Sequence, residues 1–238
     1  MKIYMNWSGG KDSALCLYKA IQQGLCAEAL VTNVNSVHDR ISMHGVRNEL
    51  LDQQAKAIGL PLSKTELPEE PGMQEYEKIM EQKISELKEQ GFTHSMFGDI
   101  FLEDLKRYRE EQLQKQNITC LFPLWKIDTK ELMREFLSLG FKAIIVCVNE
   151  RFLDKNFCGR MIDQSFIDEL PANVDVCGEN GEYHSFVYDG PLFKNPVTFV
   201  KGEIVYRKYP APKNAADNCF ATGDPTEYGF YFCDLLPQ

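Results

Sequence analysis

The chain carries eight cysteines but no C-x-x-C pair: Cys16, Cys26, Cys120, Cys147, Cys158, Cys177, Cys219 and Cys233 stand singly. That spacing argues against a zinc ribbon or a dithiol redox motif and offers no disulfide framework. Several lie inside apolar strings ("ALCLY", "IIVCV", "YFCDL"), where a reduced thiol packs as a small hydrophobe, so a reducing compartment is expected. Long apolar runs are missing too. None approaches the roughly 18 residues of a membrane span, and "MKIYMNWSGG" lacks the apolar core of a secretion signal. A cytoplasmic protein without a membrane partner is the expectation. Positive charge is short as well: 26 Lys and Arg against 35 Asp and Glu leave a net charge of -9. A general nucleic-acid binder needs basic patches to offset a polyanion, so a small substrate or a protein partner fits better. Internal repeats and low-complexity tracts are absent.

What remains is a chain of 238 residues, 44 % hydrophobic and 26 % charged, enough for one sizeable core or two smaller ones. From residue 2 to about 150 it repeats a strand-then-helix rhythm, which implies crossover connections and a mostly parallel, doubly wound sheet. "KIYMNW" reads as a strand and Ala14 to Gln23 as a helix stopped by Gly24. "EALVTNV" is the next strand, and residues 45 to 58 place Val46, Leu50, Leu51, Ala55 and Ile58 at helical spacing before Gly59. "LPLSKTEL" precedes a helix over about 74 to 89, with Tyr76, Ile79, Met80, Ile84 and Leu87 in one core-facing stripe. "HSMFGDI", the charged helix "LEDLKRYREEQLQKQ" and "CLFPLW" follow, Asp128 caps a helix with Glu131 three residues on, and "FKAIIVCVN" is a strongly apolar strand. Beyond about residue 150, short β segments separated by glycine and proline suggest a smaller α+β unit. The expected division is a nucleotide-binding unit over 1–123 and a C-terminal substrate unit over 124–238.

The stretch "WSGGKDS" interrupts this pattern at the first strand-to-helix turn. It matches neither G-x-x-x-x-G-K-[ST] nor G-x-G-x-x-G, yet it has the same equipment. Gly9 and Gly10 present backbone N–H groups, the following helix points its positive end at the same spot, and Lys11 can neutralise a phosphate oxygen. Ser8 and Ser13 offer hydroxyls, and Asp12 can cap the helix or hold magnesium through water. The bland alternative is a plain turn capped by Asp12 or Ser13. The motif sits where open sheets bind ligands, and S-G-G-K-D-S resembles the signature of the N-type ATP pyrophosphatases, the PP-loop family. That resemblance implies cleavage of ATP between its α and β phosphates, adenylation of a substrate oxygen, and displacement of AMP by a nitrogen or sulfur nucleophile.

A second feature is "CGENGEYHSFVYDGP", residues 177 to 191. Glu179 and Glu182 flank Gly181 at a bend, followed by Tyr183 and His184; carboxylates there could bind or deprotonate an ammonium or hold magnesium, and the imidazole could carry protons. The bland alternative is a glycine turn with solvated acids. With "HGVR" at 44 to 47, "FGDI" at 97 to 100, "PLW" at 123 to 125 and "GRMID" at 159 to 163, the segment resembles the diphthine-ammonia ligase family of PP-loop enzymes over nearly the whole chain. By that resemblance the acceptor is the carboxylate of diphthine, a modified histidine on elongation factor 2, and ammonia forms the amide. Ser8 to Ser13 would bind ATP with Gly98 and Asp99 near the nucleotide, while Glu179, Gly181, Glu182 and Tyr183 line the acceptor side. Family members tend to read G-E-G-G-E-Y-E-T; this chain has Asn180, His184 and Ser185 at three of those places, which leaves open an acceptor analogous to diphthine.

The chain has no room for a glutaminase domain, so free ammonium is the expected nitrogen source. Paired cysteines of the sulfur-transferring relatives are absent. The reading is an ATP- and magnesium-dependent amide-forming ligase, with Lys11, Asp12, Glu182 and His184 catalytic and Asp12 placing the metal. A homodimer is compatible with it. The competing readings are a nucleotide-holding regulatory protein and a tRNA-modifying PP-loop ligase.

Overall fold

In the computed structural model, which describes residues 1–37, 40–41, 45–69, 72–210 and 227–238, the alternation of strand and helix becomes a parallel sheet. β1 (Ile3–Asn6) leads to α1 (Lys11–Gln22), and β2 (Ala27–Asn35) to the two-residue β3 (Arg40–Ile41) and α2 (Asn48–Ile58). β4 (Leu62–Leu67) precedes α3 (Met73–Glu89), β5 (His94–Met96) precedes α4 (Glu103–Gln114), and β6 (Thr119–Leu121) ends the series. β1 pairs in parallel with β2 on one side and β5 on the other; β4 joins β2 and β6 joins β5, both in parallel, and β3 runs antiparallel against the end of β2. The strand order therefore reverses at β1, and the crevice beyond the C-terminal ends of β1 and β5 is the place where such sheets take ligands.

Alternation along β1 divides the core. Ile3 and Met5 face one side with Leu17 of α1 and Leu50 of α2, while Tyr4 faces the other with Ile84, Leu87 and Leu113 from α3 and α4. The stripe on α3 follows the expected spacing, with Ile84 and Leu87 buried and Tyr76, Ile79 and Met80 half-buried. Asp128 caps α5 (Thr129–Ser138) by accepting from the Glu131 N–H at 3.0 Å.

The apolar "FKAIIVCVN" departs from the parallel series. As β7 (Lys142–Asn149) it lies in a second sheet, antiparallel to both β8 (Tyr183–Asp189) and β10 (Glu227–Pro237), with β9 (Phe199–Pro210) outside β10. A run buried on both faces marks a central strand but carries no information about direction, so helical rhythm alone misplaces it. A short helix, α6 (Gln164–Asp168), lies between β7 and β8. The second sheet packs on the α1/α2 side of the first: Ile144, Val146 and Phe186 share one buried cluster with Leu17, Leu50 and Trp7.

Two helix starts also differ from expectation. α1 begins at Lys11 rather than Ala14, with Gly10 as an extended N-cap and no side-chain cap bond, so Asp12 and Ser13 lie inside the first turn instead of capping it. α2 begins at Asn48 rather than residue 45. His44 of "HGVR" and Cys219 fall outside the described residues. Of the described cysteines all are free thiols: Cys16, Cys147, Cys158, Cys177 and Cys233 are buried, Cys120 is half-buried and Cys26 is exposed.

Candidate active site

The turn after β1 is held from several directions. The Asn6 side-chain amide donates to Ser95 Oγ at 2.8 Å and to the Met96 carbonyl at 2.9 Å, which ties β1 to β5 at the point where strand order reverses. Gly9 has φ +76°, a conformation open to glycine at little cost. Ser8, Gly10 and Ser13 close a small ring: Ser13 Oγ donates to the Gly10 carbonyl at 2.9 Å, Ser8 Oγ to Ser13 Oγ at 3.2 Å, and Gly10 N–H to Ser8 Oγ at 3.3 Å. α1 leaves from this ring with its N-terminus toward the crevice.

Lys11 is only 4 % exposed. Its ammonium sits 2.8 Å from Asp12 Oδ2 and 5.1 Å from the centre of the Tyr183 ring. Burial pulls the ammonium toward neutrality, but the Asp12 carboxylate, aided by Tyr183 and Cys177, outweighs it and holds the group above the ordinary lysine range. The Lys11 backbone N–H donates to Ser185 Oγ at 3.1 Å, so β8 of the second sheet touches the turn directly.

From the other side comes the end of β5. A Cβ on Gly98 would lie 3.0 Å from the carbonyl carbon and oxygen of Asp12, so glycine is what lets this loop meet the first turn of α1. Asp99 is ion-paired with Arg109 at 2.8 Å, and the Arg109 guanidinium lies 4.4 Å from the centre of the Phe97 ring. Burial pushes the Asp99 carboxyl up, Arg109 opposes that, and the charge of Asp12 adds to the rise.

The second motif is a loop built on two left-handed glycines, Gly178 at φ +68° and Gly181 at φ +79°. Asp175 organises it, accepting from the Cys177 N–H at 3.0 Å, the Glu179 N–H at 3.3 Å and the Thr129 hydroxyl at 2.7 Å. Glu179 reaches across to the first unit, its Oε1 accepting from the Ile100 N–H at 2.9 Å. Burial, and then the negative charge of Asp12, push its carboxyl up to about 8. Asp12, Asp99 and Glu179 thus share one field around Lys11. Tyr183 is fully enclosed, with its hydroxyl donated to the Val176 carbonyl and its ring against Lys11.

Glu182, expected with His184 as a proton carrier, is engaged within its own loop. Glu182 is 1 % exposed, and its carboxylate accepts from the Asp175 N–H at 2.9 Å, the Asn180 N–H at 2.9 Å and the Asn180 side-chain amide at 3.1 Å. It shapes the loop. His184 alternates along β8 with Tyr183 and Ser185, both of which contact Lys11, so its imidazole stands on the opposite face of the sheet. Sequence reasoning gave no role to Asn6, Gln54, Arg109 or Asp175, and noted Ser185 only as a departure from a motif; no local pattern distinguishes them.

Among the described residues no group of three or more His, Cys, Asp or Glu side chains is arranged to hold a metal. Magnesium is usually bound through one or two carboxylates together with substrate phosphates. The acids gathered about Asp12 suit a cation that enters with a nucleotide, since their mutual repulsion is part of what lifts Asp99 and Glu179.

Residues 1–117 match the family model described as the diphthamide synthase N-terminal domain, and residues 128–211 match that of the diphthamide synthase C-terminal domain. The chain belongs to the diphthamide synthase family. Among its relatives, the diphthine–ammonia ligase of Homo sapiens is 28 % identical over 228 residues, spanning 86 % of this chain and 85 % of that protein. The diphthine–ammonia ligase of Danio rerio is 27 % identical over 219 residues, 83 % of this chain and 86 % of that protein. That of Schizosaccharomyces pombe is 24 % identical over 228 residues, 86 % of this chain but 37 % of the longer yeast protein. The first diphthamide synthase match contains the turn at 8–13 and the Gly98–Asp99 loop; the second contains Glu179 and β8. No helix among the described residues is long and apolar enough to cross a membrane.

Proposed function

We propose that the chain is an ATP-dependent, amide-forming ligase acting on diphthine or an analogous acceptor, with ammonium as the nitrogen source. An acceptor carboxylate oxygen attacks the α phosphorus of ATP, the bond to the β-phosphate oxygen breaks, and pyrophosphate leaves. Ammonia, formed when ammonium gives up a proton, then attacks the acyl carbon and displaces AMP. The observation that carries this reading is the convergence of the two motifs on Lys11, from Asp12 and Gly98 on one side and from Glu179, Tyr183 and Ser185 on the other. Neither a nucleotide-holding regulator nor an RNA-modifying ligase is favoured by the family matches.

In this reading Lys11 neutralises the departing pyrophosphate, held by the N–H groups of Gly9 and Gly10 and the hydroxyls of Ser8 and Ser13. Gly98 and Asp99 border the nucleotide. Asp12 is the residue that would place magnesium, whose contribution is charge neutralisation on the phosphates. Beside Glu182 and His184, Glu179 is read as a proton acceptor, because its carboxyl feels the charges of Asp12 and Lys11. Gly181, Glu182 and Tyr183 shape the acceptor wall. The nucleotide unit is read as 1–123 and the acceptor unit as 124–238. ATP, ammonium and a protein or small-molecule carboxylate are its partners, with no nucleic acid; cytoplasmic residence and a homodimer complete the reading, the latter testable by sedimentation.

The test is a product assay with α-labelled ATP, magnesium and ammonium, with and without extract from the source organism, resolving AMP from ADP. AMP and pyrophosphate formed with extract support the reading and allow the acceptor to be fractionated. ADP as product, or ATP bound without cleavage under every condition, refutes it.

A further inference from the structure

Gln54 lies on α2, outside both motifs, and is 0 % exposed. A buried primary amide is retained only when its donors and acceptor are satisfied. Here they are. Nε2 donates to the Gly9 carbonyl at 3.0 Å and to the Val187 carbonyl of β8, and Oε1 accepts from the Trp7 indole N–H at 2.9 Å. Two carbonyl acceptors and one indole donor also fix which end of the amide is which. One side chain therefore joins the end of β1, the phosphate-binding turn and the second sheet.

The Gly9 carbonyl is held twice, since the Val187 N–H donates to it as well at 2.9 Å. With that oxygen fixed from behind, the trans Gly9–Gly10 peptide plane is fixed too, and its N–H, on the opposite edge, points away from Gln54 toward Ser8 Oγ, to which it donates at 3.3 Å. The turn and the amide fit each other closely: a Cβ on Gly9 would lie 2.8 Å from Gln54 Oε1. We propose that Gln54 is a positioning residue for ATP, setting the peptide plane whose N–H, resting on Ser8 Oγ at 3.3 Å, turns to donate to a phosphate oxygen, and locking the turn onto β8. The proposal rests on the reading that the turn at 8–13 binds the triphosphate. It differs from a purely structural role in what it predicts for ligands with and without phosphates.

The experiment measures ATP and adenosine binding by calorimetry, alongside thermal unfolding, for the wild type, Gln54→Met, Gln54→Asn and Trp7→Phe. Gln54→Met keeps side-chain volume and removes all three bonds. Gln54→Asn keeps an amide too short to span the Gly9 and Val187 carbonyls together, and serves if the methionine variant does not fold. Trp7→Phe removes the indole bond and leaves both Nε2 bonds in place. The expected result is an ATP affinity lower by roughly ten-fold or more in the Gln54 variants, adenosine affinity within about two-fold of wild type, and Trp7→Phe less stable with ATP binding kept. ATP affinity unchanged in a folded Gln54 variant, or ATP and adenosine weakened alike, overturns the positioning role while leaving the phosphate-binding turn in place. A wild type that binds adenosine but gains nothing from the phosphates overturns both, and is visible before any variant is made.

Discussion

Gly98→Ala tests the meeting of β5 with α1. Gly98 does not occupy the left-handed region, so alanine can take its backbone conformation without strain. The whole effect is then contact: the new methyl group would lie 3.0 Å from the carbonyl carbon and oxygen of Asp12 and 3.2 Å from the Ser13 nitrogen. All three are backbone atoms of the first turn of α1, which cannot rotate aside as a side chain would. The helix start has to retreat by a few tenths of an ångström, at an overpacking cost of about 1–3 kcal/mol. In a chain of this size that lowers the Tm by roughly 2–4 °C per kcal/mol. Because the same turn carries Lys11 and Asp12, ATP affinity is expected to fall by about ten-fold. Gly24→Ala is the control: it sits at φ +76° past the far end of α1 with nothing within 4 Å of a new methyl, so it introduces backbone strain but no contact. It should cost about 1 kcal/mol of stability and leave ATP binding alone. Thermal unfolding with nucleotide titration separates the two. Gly98→Ala with wild-type ATP affinity would refute the placement of this loop beside the nucleotide.

Lys11→Ala should lower AMP formation by about 10²–10³-fold, as loss of one preorganised charge-stabilising group does, with far-UV circular dichroism unchanged; AMP production near the wild-type rate sinks its role. Glu179 has a raised pKa, so the folded state holds its proton more tightly than the unfolded one; it weakens stability as pH rises from the ordinary glutamate range to about 8 and no further beyond that. Glu179→Gln should therefore flatten the stability profile across that window while abolishing ammonium-dependent turnover, and a profile identical to wild type contradicts the assignment. Burial raises Asp234, but Arg47 and Arg40, ion-paired with it at 2.7 and 2.8 Å, outweigh that and hold it down at about 2. Its contribution is present above the ordinary aspartate range and lost as pH falls through about 2, so Asp234→Asn should destabilise the neutral protein by about 1 kcal/mol, after discounting for solvent screening, and progressively less as pH falls below the ordinary aspartate range.

The parts legible in the sequence are those written in local chemistry. Ser8 to Ser13 compress a strand end, two glycines, a lysine and a helix start into six residues, and the glycines at 178 and 181 announce a bend. What was not legible depends on partners far along the chain. The direction of β7 is set by β8 and β10, not by its own apolar run. Glu182 and Glu179 look alike as sequence, yet three local donors claim the first while the Ile100 N–H draws the second across the cleft. His184 differs from its neighbours by one step of strand alternation, which decides the face it stands on. Asp12 reads as a possible cap because caps and first-turn acids share residue types; the extended Gly10 settles the register. Gln54 is one polar residue in "NELLDQQAKAI", and only its contacts 45 and 133 residues away give it meaning.

An acidic protein that presents Asp12, Asp99 and Glu179 to a polyanionic substrate looks electrostatically adverse, and the pairing of these groups resolves it. Asp12 is matched by Lys11 and Asp99 by Arg109, each at 2.8 Å. Glu179, pushed up to about 8, remains mostly protonated at neutral pH and adds little charge. The local balance is then close to zero, and the oriented peptide dipoles of Gly10 and the α1 N-terminus tip it toward an anion. In the proposed reaction the same environment would make Glu179 a fitting base. A cation arriving beside it favours its ionised form, so ammonium itself would promote the deprotonated carboxylate that, on this proposal, takes its proton. A base whose pKa lies near neutrality does this most effectively at the pH where the enzyme works. Ammonium dependence should therefore steepen as pH falls below about 8 in the wild type, with initial rates of AMP release against ammonium concentration as the measurement; a slope independent of pH would remove Glu179 from the proton path.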